Sequence, residues 1–115
     1  ARAEVVEIID GDTLVAEIQF NVRVRLDHCW CAETRTKDPD EKRRGLEARQ
    51  HLERTALGKS GTLFVPRKDA EQLGDVTTLS RVLGEFWIDG ESQSLSEMMV
   101  EAKHASTTKG GAPGT

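Results

Sequence analysis

The sequence predicts a small, mainly β domain with two helices. Three observations carry this. The first third alternates apolar and polar residues with a strand period. One later stretch repeats apolar residues every four positions, as a helix does. A second helix is announced by a capping box, Ser94 to Glu97, ahead of an apolar run.

Val and Ile dominate from Glu4 to Ile9, which ends at Asp10-Gly11-Asp12, a turn signal. A second strand is expected from Thr13 to Phe20, with Leu14, Ala16 and Ile18 opposite Thr13, Val15 and Glu17. From Asn21 to Asp27 the alternation is cleanest, with Val22, Val24 and Leu26 on one face and Arg23, Arg25 and Asp27 on the other. The short gaps suit an antiparallel meander. Thr34 to Arg44, dense in charge and holding Pro39, reads as a surface loop. A helix is expected from Glu41 to Leu57, with Ala48, Leu52 and Ala56 inward, Leu46 and Leu57 flanking, and Gly58 as its stop.

A short strand over Gly61 to Pro66 follows, then a polar loop from Arg67 to Thr78 and a fifth strand from Arg81 to Ile88, closed by Asp89-Gly90. The last helix presents Leu95, Met98, Met99 and Ala102 on one side. Residues 1–105 are thus read as one domain and 106–115, made of Gly, Thr, Ala, Pro and Lys, as a flexible tail. Three strands, a helix, two strands and a helix is the order of a five-stranded Greek-key barrel, the OB-fold.

Composition narrows the function. Sixteen Lys and Arg against twenty Asp and Glu leave a net charge of −4, which argues against coating nucleic acid through bulk charge but allows a locally positive cleft. No apolar run approaches the ~20 residues of a membrane helix, so no membrane partner is expected. Two cysteines, Cys29 and Cys31, cannot form a disulfide scaffold. With His28 they fall short of the four ligands of a structural zinc site. The chain opens on Ala1 rather than Met, so a removed leader is not visible in it and the compartment stays open.

Asp10-Gly11-Asp12-Thr13 at a strand end, Arg25-Leu26, Ala32-Glu33-Thr34, Gly45-Leu46-Glu47-Ala48, Arg81, Asp89-Gly90 and the capped Leu95-Ser96-Glu97 helix follow one another in order. In this the chain resembles the staphylococcal nuclease (thermonuclease-like) family from about Val5 to Ala105. The resemblance implies an OB-fold and Ca²⁺-dependent hydrolysis of DNA or RNA phosphodiesters with little sequence preference, by a monomer, in a family whose members are often secreted. Asp12 then matches a metal-binding carboxylate, with the Cys31 backbone carbonyl and Asp10 as further metal ligands. Glu33 matches the residue that orients or deprotonates the attacking water. Arg25 and Arg81 match the guanidinium groups that grip the phosphate and stabilise the transition state. Thr78 and Leu79 occupy substrate-contact positions that hold Lys and Tyr in the best-known members.

Read on their own, the same residues have plainer roles. Asp12 caps its own turn, Arg25 pairs with Asp12 or Glu33, and Glu47 is structural. Arg35, Lys37, Lys42, Arg43 and Arg44 form either a basic patch beside the site or a solvated helix start.

The departures from the family pattern are specific. Members usually read Arg-Leu-x-x-(Ile or Val)-Asp-x-Pro-Glu, whereas this chain reads Arg25-Leu26-Asp27-His28-Cys29-Trp30-Cys31-Ala32-Glu33. Trp30 stands where the second metal-binding aspartate belongs, and an indole cannot ligate Ca²⁺. There is no Tyr in the chain, and the residues after Ala105 are not expected to form the family's last helix. The alternative reading is therefore a degenerate, catalytically inactive member that binds nucleic acid or a protein partner.

Overall fold

The structure, a computed structural model, describes residues 2–17, 21–66 and 82–115. Its elements are β1 (Arg2–Asp10), β2 (Thr13–Glu17), β3 (Asn21–Leu26), β4 (Trp30–Cys31), α1 (Pro39–Ala56), β5 (Ser60–Phe64), β6 (Val82–Ile88), α2 (Leu95–Glu101) and β7 (Ala105–Ser106). Five strands close into a barrel in the order β1-β2-β3-β6-β5, with β5 returning to β1. Every neighbouring pair is antiparallel except β3 and β6, whose parallel register sets Arg25 beside Leu83. This is the mixed α+β barrel expected from the element order, consistent with an OB-fold.

Alternation explains the wall. Val22, Val24 and Leu26 point into the barrel beside Val5, Leu14, Phe86 and Val82, while Arg23 and Arg25 point out. In β2, Thr13 and Val15 are buried too, so Leu14-Val15-Ala16 is a two-sided apolar run rather than the half-polar strand expected. Two register shifts bend β1 between Val5 and Glu7 and between Ile8 and Asp10, which curves the sheet toward closure.

Helix α1 begins two residues before the sequence suggests. Asp38 caps it by accepting from the amides of Asp40 and Glu41, and Pro39 occupies the first turn, where its missing N–H costs nothing. The Asp-Pro pair that reads as a loop is thus a helix start. Gly45, Ala48, Leu52 and Ala56 form its buried stripe, while Leu46 and Leu57 stay exposed. The close approach of α1 depends on two glycines. A Cβ at Gly11 would lie 2.5 Å from the Ala48 Cβ, and one at Gly45 would lie 2.7 Å from the Glu33 carbonyl oxygen.

The capping box of α2 is complete: Glu97 N–H donates to Ser94 Oγ at 3.2 Å and Ser94 N–H to Glu97 Oε1 at 3.0 Å. Leu95 and Met99 are buried, but Ala102, expected on the same face, is the exposed C-cap. Beyond it the chain folds back. Ala105 pairs with Cys31 and Ser106 with Trp30, Gly114 N–H donates to the Ala105 carbonyl, and Thr107 Oγ1 donates to the Thr115 carbonyl. Of residues 106–115, expected as a flexible tail, Ser106 is therefore buried in β7, in a ladder that local sequence pattern does not announce. Residues 107–110 and 112–115 are exposed and turn back toward it through these hydrogen bonds. Among the described residues no helix is long and apolar enough to cross a membrane.

Candidate functional site

The β1–β2 turn, the end of β3 and β4 meet at one end of the barrel. Leu26 N–H donates to the Asp12 carbonyl at 2.9 Å, which pins the turn against β3. The Asp12 carboxylate then bridges three elements. Oδ1 accepts from the Thr13 hydroxyl at 3.0 Å, Oδ2 accepts from the Cys31 amide at 3.3 Å, and Arg25 Nη2 lies 3.8 Å from Oδ2. Both side chains of that ion pair are about 85% covered, so it is screened far less than a surface pair.

Arg25 is engaged on every side. Its Nη1 donates to the carbonyls of Leu26 and Cys29, the latter at 2.7 Å, and so clamps the turn in which His28 adopts a left-handed φ of 55°. Its guanidinium carbon stands 4.4 Å from the centroid of the Trp30 ring, a cation–π contact. The ammonium of Lys109, brought in by the folded-back C-terminal segment, lies over the same ring at 5.8 Å.

Trp30 remains 41% exposed and floors a cleft of about 660 Å³. The β4 exit and α1 contribute Glu33, Glu41 and Glu47 to its lining, and the C-terminal segment contributes Lys103 and Lys109. Arg43 and Arg44 also border this cleft, but both are tied to Asp40, and Arg43 to Glu47 as well. Of the expected basic patch, these two are therefore neutralised within α1. Lys103 and Lys109 make no ion pair with any described residue, so the cleft's uncompensated positive charge lies on its C-terminal wall.

The sequence-predicted residues fall into three groups. Asp12, Arg25 and Cys31 are brought together. Glu33 is exposed two residues beyond Cys31, its carbonyl against Gly45, and it borders both the Trp30 cleft and a second groove of about 640 Å³. Asp10 parts from Asp12: its Oδ1 accepts from the Thr34 hydroxyl, and it lines the second groove. Arg81, Thr78 and Leu79 lie outside the described residues. Sequence reasoning missed Lys103 and Lys109, whose place depends on the β4–β7 ladder.

Ca²⁺ takes six to eight oxygen ligands at ~2.3–2.6 Å. Among the described residues no three His, Cys, Asp or Glu side chains cluster as a metal site. Asp12 Oδ2 already accepts from the Cys31 amide and faces the Arg25 guanidinium. Contact with the Cys29 thiol, together with burial, pushes the Cys31 thiol pKa well above the usual range. These donors do not fit a Ca²⁺ centre.

No family model matches the chain, and neither does any curated protein.

Proposed function

We propose that this chain binds DNA or RNA at the Trp30 end of its barrel and does not cut it. One observation carries the reading: the Arg25–Trp30 stack, 4.4 Å from guanidinium carbon to ring centroid. It puts an aromatic floor, backed by a cation, where the family pattern has a metal-binding carboxylate. Arg25, which the resemblance assigns to a phosphate, spends its donors on the Leu26 and Cys29 carbonyls and on Asp12. Phosphate contact then falls to Lys103 and Lys109, point charges suited to a salt-sensitive, sequence-tolerant grip. OB-fold barrels support this kind of binding with an aromatic surface and a basic rim.

A second reading, metal-dependent phosphodiester hydrolysis, is favoured by the Asp12–Cys31 hydrogen bond, which holds the segment leading to Glu33 at the same barrel end as Arg25. The two readings separate in one experiment. Labelled DNA and RNA are incubated with the protein in millimolar Ca²⁺ or in EDTA, alongside Glu33→Gln, and both retention and cleavage are measured. The binding reading expects retention that EDTA leaves unchanged and no cleavage. Cleavage that requires Ca²⁺ and collapses in Glu33→Gln would overturn it in favour of the enzyme.

A further inference from the structure

We propose that the Trp30 cleft selects single-stranded nucleic acid, taking one unpaired base on the indole while the adjoining phosphate lies against Lys103 and Lys109; this rests on the nucleic-acid reading above. The first argument is shape. A cleft of about 660 Å³ floored by an indole that keeps 41% of its surface open has the size and apolar base of a small-ligand site.

The second argument is charge placement. Lys103 and Lys109 line the cleft from the C-terminal segment with no ion pair to a described residue. Arg43, Arg44 and Glu47 line it from α1 but are held in ion pairs there, which leaves Glu33 and Glu41 as its carboxylates outside those pairs. A duplex would bring a second phosphate backbone toward Glu33 and Glu41, and like charges repel. A single strand keeps its phosphates on the lysine side and turns its base inward. There the carboxylates, which only accept hydrogen bonds, face the amino groups that pairing would otherwise occupy.

The third argument is preorganisation. Arg25 holds the Trp30 ring by cation–π contact and is itself fixed by two backbone carbonyls, so the ring is positioned before any ligand arrives. Lys109 is the adaptable part. At 5.8 Å from the centroid and with no ion pair to a described residue, it is free to follow a phosphate while a base occupies the ring.

The test measures fluorescence anisotropy of an end-labelled ten-nucleotide DNA strand, and of the duplex of the same sequence, at low salt. Wild type is compared with Trp30→Ala, Trp30→Phe and Lys109→Ala. Trp30→Ala is expected to weaken single-strand binding by about 5- to 100-fold, the range for losing one stacked base, and to leave duplex binding unchanged. Trp30→Phe, which keeps a ring, should stay within about threefold of wild type. Lys109→Ala should weaken binding and reduce the salt dependence by about one phosphate contact.

Wild-type protein that binds neither oligonucleotide overturns the nucleic-acid reading and this inference with it. Single-strand binding that survives Trp30→Ala, or a loss shared equally by strand and duplex, overturns the stacking site alone. Should Trp30→Ala melt at low temperature, Trp30→Phe and Lys109→Ala still decide: the inference fails if Trp30→Phe binds tenfold worse, or if Lys109→Ala keeps the wild-type salt dependence.

Discussion

Phe86, Leu14 and Leu52 expose none of their surface, whereas Trp30, at the mouth of the same barrel, exposes 41%. The interior is fixed by burial: five strands and the inner stripe of α1 place apolar side chains against one another. The Trp30 end is fixed by polar and cationic contacts, Asp12 to the Cys31 amide, Arg25 to two carbonyls, and Arg25 and Lys109 over one indole. Burial is non-directional and roughly additive in area, so it tolerates change in detail while demanding volume. Directional contacts tolerate little change in geometry but individually contribute only about 1 kcal/mol. The barrel therefore carries the stability, and its open end is free to carry chemistry.

The comparison is tested most strongly in the core. Phe86→Ala should cost about 3–5 kcal/mol, a large share of the ~5–15 kcal/mol that holds a domain of this size together. Trp30→Ala should cost less, about 1–2 kcal/mol, since it forfeits a cation–π contact and the covered part of a ring that is 41% exposed, but no fully buried volume. Urea denaturation of both variants checks this through the shift in midpoint at constant slope. Equal losses would mean that the Trp30 end is part of the core.

Gly45 joins the two regions. Its missing side chain lets α1, a core element, lie against the backbone of Glu33, a cleft residue, and an added Cβ would meet the Glu33 carbonyl carbon at 2.8 Å. Gly45→Ala gains up to about 1 kcal/mol of helix preference but overpacks against main chain, which cannot swing aside, at about 1–3 kcal/mol. The net expectation is a modest loss of stability, seen as a lower Tm. Oligonucleotide affinity should weaken as well, although Gly45 does not border the cleft. A stability change with no effect on binding would show the two regions to be independent.

The contrast also explains what the sequence could convey. Barrel strands and the α1 stripe are written in local periodicity, and the capping box of α2 in a four-residue spacing, so Val22-Val24-Leu26 and Ser94-Glu97 are legible without a structure. The helix start at Asp38-Pro39 is equally local, but its charged surroundings read as a loop. Asp12 meeting Cys31 spans 19 positions, and Lys109 reaching Trp30 spans far more. Such contacts follow from the barrel's closure and from the β4–β7 ladder, which no short pattern encodes. Matching residues to a family order placed Asp12, Arg25 and Glu33 at one barrel end, but it could not reveal that Arg25 is bonded inward, nor that the C-terminal segment forms a wall.

A cap tests whether that wall moves with the barrel. Ser94→Ala removes the acceptor for the Glu97 amide at the start of α2, the helix that leads into β7. It should cost about 1 kcal/mol in urea. Hydrogen exchange at Gly114, whose N–H donates to Ala105, then reports on the wall. Exchange that accelerates in step with global unfolding makes the C-terminal segment part of the barrel's cooperative unit; faster exchange makes it a separate, weaker one.

The smallest effect concerns acid. His51 on α1 lies 4.8 Å, ring to ring, from His104, which precedes β7. Burial, then the nearby His104 and Arg54, push its pKa below the ordinary histidine value. Glu101 borders the same shallow cavity, but its carboxylate is occupied by the Gln93 amide at 2.7 Å, and the lowering influences prevail. In the unfolded chain His51 takes up its proton near pH 6.5, before the folded protein does. The unfolded state therefore binds more protons in that range, and stability must rise with pH there. It is fully present above about pH 6.5 and declines as pH falls below that value. A scan of Tm from pH 8 to pH 5 should show this small decline, and His51→Gln should flatten it. Because His51 sits on a core helix and His104 on the approach to the cleft wall, an unchanged slope in His51→Gln would place the acid sensitivity elsewhere and remove this link between the two regions.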